Sequence, residues 1–529
     1  MIPSQMNYLK INCLFFSIIF LSYGNSYAFE HHDSHVNFLE YNKNIIFENK
    51  VQKKPYFLLF AAEWCHWCHI FAEKTLKKKK IYSYLNKNFV NIFIDADIHS
   101  SAYKKFKANG VPYTVFLNPD SSVYYKYSGT LYEEPFFEVI EGVVKNIKRG
   151  VNVDGEEIIP FEYVPPKKLE LSSLYELEKT FINGLLDNLD WKEYGLGKRE
   201  KAILPETYIY FLNSTDGKEK EDAVLWTSKT LSKAIENIYD PIEGGFFRFA
   251  ETRDWDIPHF EKMADLNAGI ILLLYKMDQL QPKKSFKKIA TQTTAYLSET
   301  LYDDEVGSFL SFQEADNYYY FFNAKNRKNQ KFPHVIKNIY INNLSVTLSY
   351  LIDVLDYTND ENLKNKIKSS IDFLYEMLSK NKKPLHYFNT TKKQWLGEGD
   401  LQDFALLTKL FHKAARKFNN KKYMHVSSNL INISIAEYFN EKKQIFVDPE
   451  LDENDFEYLM GINSIFTSIF LENQNYIKDK KAIKIESLIA YFSGMNELLE
   501  DRFWESKDLG SLENYALFLN SYDKFIDYK

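Results

Sequence analysis

The sequence predicts an α/β domain followed by a longer all-α domain built from helical hairpins. Three observations predict it. The apolar run Tyr56-Phe57-Leu58-Leu59-Phe60 leads into a Cys-x-x-Cys pair, Cys65 and Cys68, at the start of a basic helix. Strand-like and helix-like stretches then alternate up to Lys148. Beyond a stretch marked by Asp154-Gly155 and Pro165-Pro166, helical spacing runs in sequential pairs to the end.

In the first domain, Phe38, Tyr41, Ile45 and Ile46 have helical spacing, which predicts a helix within Asn37 to Lys50. Tyr56 to Phe60 follows Pro55 and reads as a buried strand of a parallel sheet. A helix from His66 to Leu85, a strand Phe89 to Asp95 and a short helix Ser101 to Lys107 follow. Tyr113 to Leu117 and Val123 to Tyr127 flank the turn Asn118-Pro119-Asp120, and Glu134 to Lys148 closes the domain.

Cys65 falls at a strand-to-helix turn and Cys68 one helical turn on. A helix N-terminus offers unpaired N–H groups and positive dipole charge, and both favour a thiolate over a thiol. Redox exchange competes with two other readings of the pair. Zinc would need two further ligands; His66 and His69 are near in sequence, but no second Cys pair exists. A fixed structural disulfide is the other. The expectation is redox chemistry, with no metal and no cofactor beyond a Cys65–Cys68 disulfide.

At 529 residues the chain exceeds one typical domain. A net charge of −6 and the lack of a basic stripe with spaced aromatics argue against a nucleic-acid partner, and Lys77–Lys80 reads as a solvated helix face. Aromatic residues make up 16% of the chain, which predicts aromatic-rich cores and clefts. Lys10, the apolar stretch Ile11 to Leu21 and the small residues Ser26 and Ala28 read as an export signal over 1–28, with an uncleaved anchor as the alternative. The apolar stretch is short for a membrane span, so none is expected after cleavage. Cys13 leaves with the signal, so the exported chain keeps Cys65 and Cys68 alone, in the periplasm or outside the cell. Cleavage would expose Phe29-Glu30-His31, an arrangement able to bind Cu(II), against the plainer reading of a polar leader.

The expected domains are 29–150, a linker at 151–168, and a helical region at 169–529. Candidate helices there include Ser172 to Leu186, Asp222 to Ile238, Met263 to Met277, Phe286 to Leu301 and Ile341 to Leu355. Leu363 to Leu378, Leu401 to Phe418, Met424 to Tyr438, Glu457 to Leu471 and Ala482 to Leu499 follow. No strict repeat of the common solenoid lengths is visible, and the length suits a closed ring of six hairpins.

Ala62-Glu63-Trp64-Cys65 with Cys68, and Val111-Pro112 before a strand, resemble the thioredoxin fold. The resemblance implies Cys65 as nucleophile, Cys68 as resolving thiol and Pro112 as the cis-proline facing the disulfide. The buried aspartate that thioredoxins carry six residues before the first cysteine is Leu59 here. His66 and Trp67 replace Gly-Pro between the cysteines; with Trp64 they are expected to modulate the pair.

Asp240-Pro241-Ile242-Glu243-Gly244-Gly245-Phe246 and Pro258-His259-Phe260-Glu261-Lys262-Met263, with Cys65-His66-Trp67-Cys68-His69, resemble the spermatogenesis-associated thioredoxin-like family. That family joins a thioredoxin domain to an (α/α)6 toroid, a six-hairpin glycosidase-like fold. Phe309 to Asp316 resembles its Asp-Ala-Asp loop and Gly399 to Ala405 the start of a toroid helix. Departures include Phe247 where the family has His, and Leu266 where it has Asp. The resemblance implies a toroid pocket at Arg248, Trp255, His259, Glu261, Glu314, Asp316 and Asp403. The expected function is an exported thiol–disulfide oxidoreductase acting on protein thiols and disulfides, whose toroid binds a partner protein or a carbohydrate. The alternatives are a sugar epimerase or glycosidase-like toroid with an accessory redox domain, and a non-catalytic binding protein.

Overall fold

The structure is a computed structural model that describes residues 35–42, 44–46, 53–150, 171–214, 217–282, 286–449, 456–476, 483–493, 516–517 and 520. The expected signal segment and linker lie outside them, as does the second half of the last expected helix.

The first domain is a five-stranded sheet of β1 (Phe38–Glu40), β2 (Tyr56–Ala61), β3 (Val90–Asp95), β4 (Tyr113–Leu117) and β5 (Val123–Ser128), in the order β1-β3-β2-β4-β5. β2 is parallel to β3 and antiparallel to β4, with Ala61 opposite Asp95 and Leu59 opposite Phe93. Central position explains why β2, β3 and β4 are buried at every residue, Asn91, Asp95 and Thr114 included, with only β2 apolar throughout. One expectation is corrected here. Phe38, placed in a helix by its spacing, begins β1, which pairs parallel with Asn91–Phe93; edge pairing overrides local periodicity.

Helix His66–Phe71 follows β2, widens into a π-helical turn at Ala72–Leu76, and is separated from Lys79–Asn88 by a break at Lys77-Lys78. Helices Ser100–Lys105 and Glu133–Lys148 complete the domain.

The second domain is an (α/α) toroid. Helices Pro205–Ser214, Ala264–Leu280, Ile341–Val354, Leu401–Lys417 and Phe456–Glu472 pack side by side as an inner ring. Helices Gly217–Asn237, Phe286–Glu299, Glu361–Lys380 and Lys421–Tyr438 lie outside them. Ile485–Ser493 packs on both Phe456–Glu472 and Leu171–Asn188, and Asn520 donates to the carbonyl of Glu206 over 3.2 Å, so the ring closes on itself. Inner position explains the all-round apolar sequence Ile270-Ile271-Leu272-Leu273-Leu274, every residue of which is buried. Among the described residues no helix is long and apolar enough to cross a membrane.

One turn recurs around the ring. Leu189 pairs with Leu196, Tyr239 with Phe246, Tyr302 with Phe309, Phe388 with Trp395 and Phe439 with Phe446, always at the same spacing. The residue after the first partner is Asp190, Asp240, Asp303, Asn389 or Asn440, and its side-chain oxygen accepts a backbone N–H two or three residues on. The short oxygen-bearing side chain reinforces backbone hydrogen bonds across the turn, such as the Gly244 N–H to the Asp240 carbonyl oxygen. The turns leave the outer helices and redirect the chain toward the inner ones.

Two of these aspartates also anchor cations, of which Lys201, Lys262 and Arg327 are buried. Asp190 binds Lys201 at 3.0 Å and Arg253 at 2.7 Å. Asp240 binds Lys262 at 2.9 Å and Arg327 at 2.8 Å.

Candidate redox site at the toroid mouth

The end of β2 and the start of helix His66–Phe71 bring Cys65 and Cys68 together in a disulfide with Cα atoms 5.3 Å apart. Cys65 is the N-cap, and the Cys68 amide donates to its sulfur over 3.1 Å. The Val111–Pro112 bond is cis, and the Val111 carbonyl oxygen lies 3.4 Å from the Cys65 sulfur. Both cysteines are only 2% exposed, whereas Trp67 between them is 37% exposed.

The toroid supplies much of that cover. Inner helices Ala264–Leu280, Ile341–Val354 and Leu401–Lys417 begin at this face, and the short strands before the first two pack under the redox motif. Met263, Phe312, Ile336, Tyr340 and Tyr387 share one apolar cluster with Trp64, Cys65 and Cys68. Trp64 donates its indole N–H to Asp97 over 2.8 Å, and the Arg248 guanidinium lies 4.8 Å over its ring.

Histidines carry most of the polar contacts between the domains. His69 Nε2 lies 3.2 Å from Glu314 and 2.7 Å from the Glu63 carbonyl oxygen. Glu63 faces His334 at 3.6 Å, and His66 Nε2 stands 3.5 Å from the Asn317 amide nitrogen. Burial pulls the His66 pKa below its usual value, opposed by the Glu261 carboxylate, so a neutral ring is favoured beside the disulfide. The His334 pKa is raised by its hydrogen bond to Glu63.

Five of the seven toroid residues named from the sequence gather here. Arg248 sits on Trp64 and Glu314 on His69. His259 stacks on Phe249 at 4.0 Å, with Nε2 2.7 Å from Glu251 and Nδ1 3.7 Å from Glu261. Glu261 is 2% exposed; burial works to raise its pKa, but His259 and Arg248 outweigh it and keep it ionised. Asp316 caps the helix Asn317–Tyr320.

Trp255 and Asp403 are elsewhere. Trp255 is fully buried, donates to the Glu193 carbonyl and packs on Gly195, so it holds the first turn of the ring. Asp403 forms a capping box with Asp400 and binds His386 at 2.6 Å. It braces the domain contact and does not join the pocket.

Sequence reasoning missed Asp95, Asp97, Glu63, Tyr340, His334 and His386, which line this face. Asp95 and Asp97 had a signal, since function in open α/β sheets gathers at the carboxyl ends of strands. Behind the mouth a cavity of about 960 Å³ runs along the inner helices from Asp265 and Leu266 to Lys276 and Lys413. Among the described residues no group of His, Cys, Asp and Glu could hold a metal ion.

A thioredoxin-like domain with its Cys-x-x-Cys motif turned into an (α/α) toroid defines the class of this protein. Residues 21–158 match the DsbH-type thioredoxin family model, described as a protein of unknown function, DUF255. The chain is similar to an uncharacterised Caenorhabditis elegans protein, 25% identical over 317 residues, covering 55% of this chain and 43% of that one. It is likewise similar to rat (Rattus norvegicus) spermatogenesis-associated protein 20, 23% identical over 319 residues, covering 55% of this chain and 40% of the relative. The chain is thus similar to these proteins over about half of its own length, and the matches span less than half of theirs. The toroid has the fold of D-mannose isomerase, with a TM-score of 0.51 and 9% identity over 69% of this chain and 100% of that one.

Proposed function

We propose that this chain is an exported thiol–disulfide oxidoreductase that works in the periplasm or outside the cell on protein thiols and disulfides. Cys65 is the nucleophile, Cys68 resolves the mixed disulfide, and Pro112 faces the pair. Trp64, His66 and Trp67 tune it. The reading rests most on one observation, the Cys68 amide aimed at the Cys65 sulfur at the mouth of a helix, which favours a thiolate there. No further cofactor is needed. The toroid contributes Arg248, Glu314 and Asp316 to the rim of the site, and so selects the partner protein or holds its glycan.

The test is capture. In Cys68→Ser, Cys65 should hold partners as mixed disulfides that thiols release, and Cys65→Ser should hold none. Absence of captured partners from Cys68→Ser in its native compartment sinks the reading.

A second reading, a toroid that turns over a sugar, is favoured by half-buried His259 beside buried Glu261, a pair able to exchange a proton beside a carbonyl. It requires His259→Ala to remove sugar turnover while thiol exchange persists.

A further inference from the structure

Thioredoxins place a buried acid on the strand that leads to the disulfide, and here that position is Leu59. A different buried acid lies one strand away. Asp95 ends β3, opposite Ala61 on β2. Residues alternate faces along a strand, so Asp95 shares the face of Phe93. That is the face of Leu59, Ala61, Cys65 and Cys68, which form one cluster with Phe93, whereas Phe60 and Ile94 face the other way.

Asp95 is 5% exposed. One carboxylate oxygen accepts the Asp97 and Ile98 amides at 3.0 Å. The other, Oδ2, is buried with no hydrogen-bond partner among the described residues. An unpaired buried carboxylate oxygen is costly when ionised and far less so when protonated. Burial, then the Asp97 carboxylate, push the Asp95 pKa well above the ordinary value against the pull of the two amides. The ionisable groups whose charge bears on it are Asp97 and Glu63 from its own domain, and its own charge raises Tyr340 of the toroid. Asp97 is in turn influenced by His386 and Arg248. The toroid seals this corner, since Tyr340 is 2% exposed and belongs to the cluster around the cysteines.

We infer that Asp95 is the proton donor and acceptor for Cys68, taking the place of the acid missing at Leu59, with the docked toroid keeping it dry. The inference rests on the exchange function proposed above. In the reducing direction, an external thiolate attacks the Cys65 sulfur and forms a mixed disulfide with it. The Cys65–Cys68 bond breaks, its electron pair goes to Cys68, and the Asp95 proton moves to that sulfur. Asp95 is left as a carboxylate. In the oxidising direction Asp95 removes the Cys68 proton so that the sulfur can displace the partner.

The experiment follows reduction of the Cys65–Cys68 disulfide by dithiothreitol in the full chain across pH, with time points trapped by alkylation. Rates are divided by the thiolate concentration of the reductant. The native profile should show a step from an acid titrating above the ordinary carboxylate range. Asp95→Asn should lose that step and slow by on the order of 10²-fold. Leu59→Asp added to Asp95→Asn should restore part of the rate. If the substituted chains do not fold, redox difference infrared spectra of the native protein still decide: the protonated carboxyl band must shift or be lost on reduction. An unchanged rate and profile in Asp95→Asn, or no carboxyl change in the native spectrum, overturns the inference. A native disulfide that no thiol reduces defeats the exchange function itself, a separate failure.

Discussion

The imidazole of His386 joins the two domains, its Nε2 donating to the Asp97 carbonyl oxygen over 2.7 Å. Its Nδ1 meets the Asp403 carboxylate at 2.6 Å, so both ring nitrogens face acceptors. Only the protonated ring can donate twice. Burial opposes that charge, but Asp403, Asp400 and the Asp97 carbonyl outweigh it and raise His386 from an ordinary 6.5 to about 9.

A histidine raised on folding contributes stability that is full below the unfolded value and lost as pH rises through the folded one. His386 should therefore stabilise the native chain fully below about pH 6.5 and progressively less toward about pH 9. His386→Gln should cost about 3 kcal/mol at the acidic end, because it leaves the buried Asp403 carboxylate without its cation. Urea midpoints of the two proteins should converge as pH rises; a constant gap would contradict the assignment.

Asp400 works in the opposite sense. Burial tends to raise it, but Lys104, His386 and Ser100 outweigh burial and hold it far below its usual value. Lys104 and Ser100 belong to the thioredoxin-like domain, at 3.3 Å and 2.7 Å, so the contribution of Asp400 is present above about pH 4 and is lost on acidification. Asp400→Asn should flatten the acid limb of the stability curve, measured by urea unfolding below that pH.

Much of the fold was legible in the sequence because strand burial and helical spacing are local signals. The Cys65–Cys68 motif at the end of a strand was legible for the same reason. The recurring turn was not, because its signal is one oxygen-bearing residue between two apolar partners in otherwise dissimilar loops, repeated at uneven intervals along the chain. Tyr239-Asp240 and Phe439-Asn440 look unrelated until Phe246 and Phe446 are seen to pair with their first residues. The domain seam was also hidden. His334, Tyr340 and His386 sit far along the chain, and nothing near them announces that they meet Glu63, Asp95 and Asp97.

The turn that opens with Asp240 makes a stability prediction. Lys262 is fully buried between Asp240 and the rings of Tyr296 and Phe247. Asp240→Asn removes the anion shared by Lys262 and Arg327 and should cost about 3–5 kcal/mol in chemical unfolding. Loss of less than about 1 kcal/mol would mean that the cations find other partners.

Gly245 tests the same turn through the backbone. Its φ is +82°, and a Cβ there would stand 2.7 Å from the Tyr296 ring. Gly245→Ala should destabilise the chain by more than about 1 kcal/mol, read from the shift of its urea midpoint.

The account depends on an activated sulfur at Cys65. The most direct measurement is the pH dependence of Cys65 alkylation in the reduced chain, followed by mass spectrometry of its peptide. A midpoint well below the free-cysteine value of about 8.5 is predicted. A midpoint at or above that value, with the reactivity of an ordinary thiol at neutral pH, would contradict the oxidoreductase assignment.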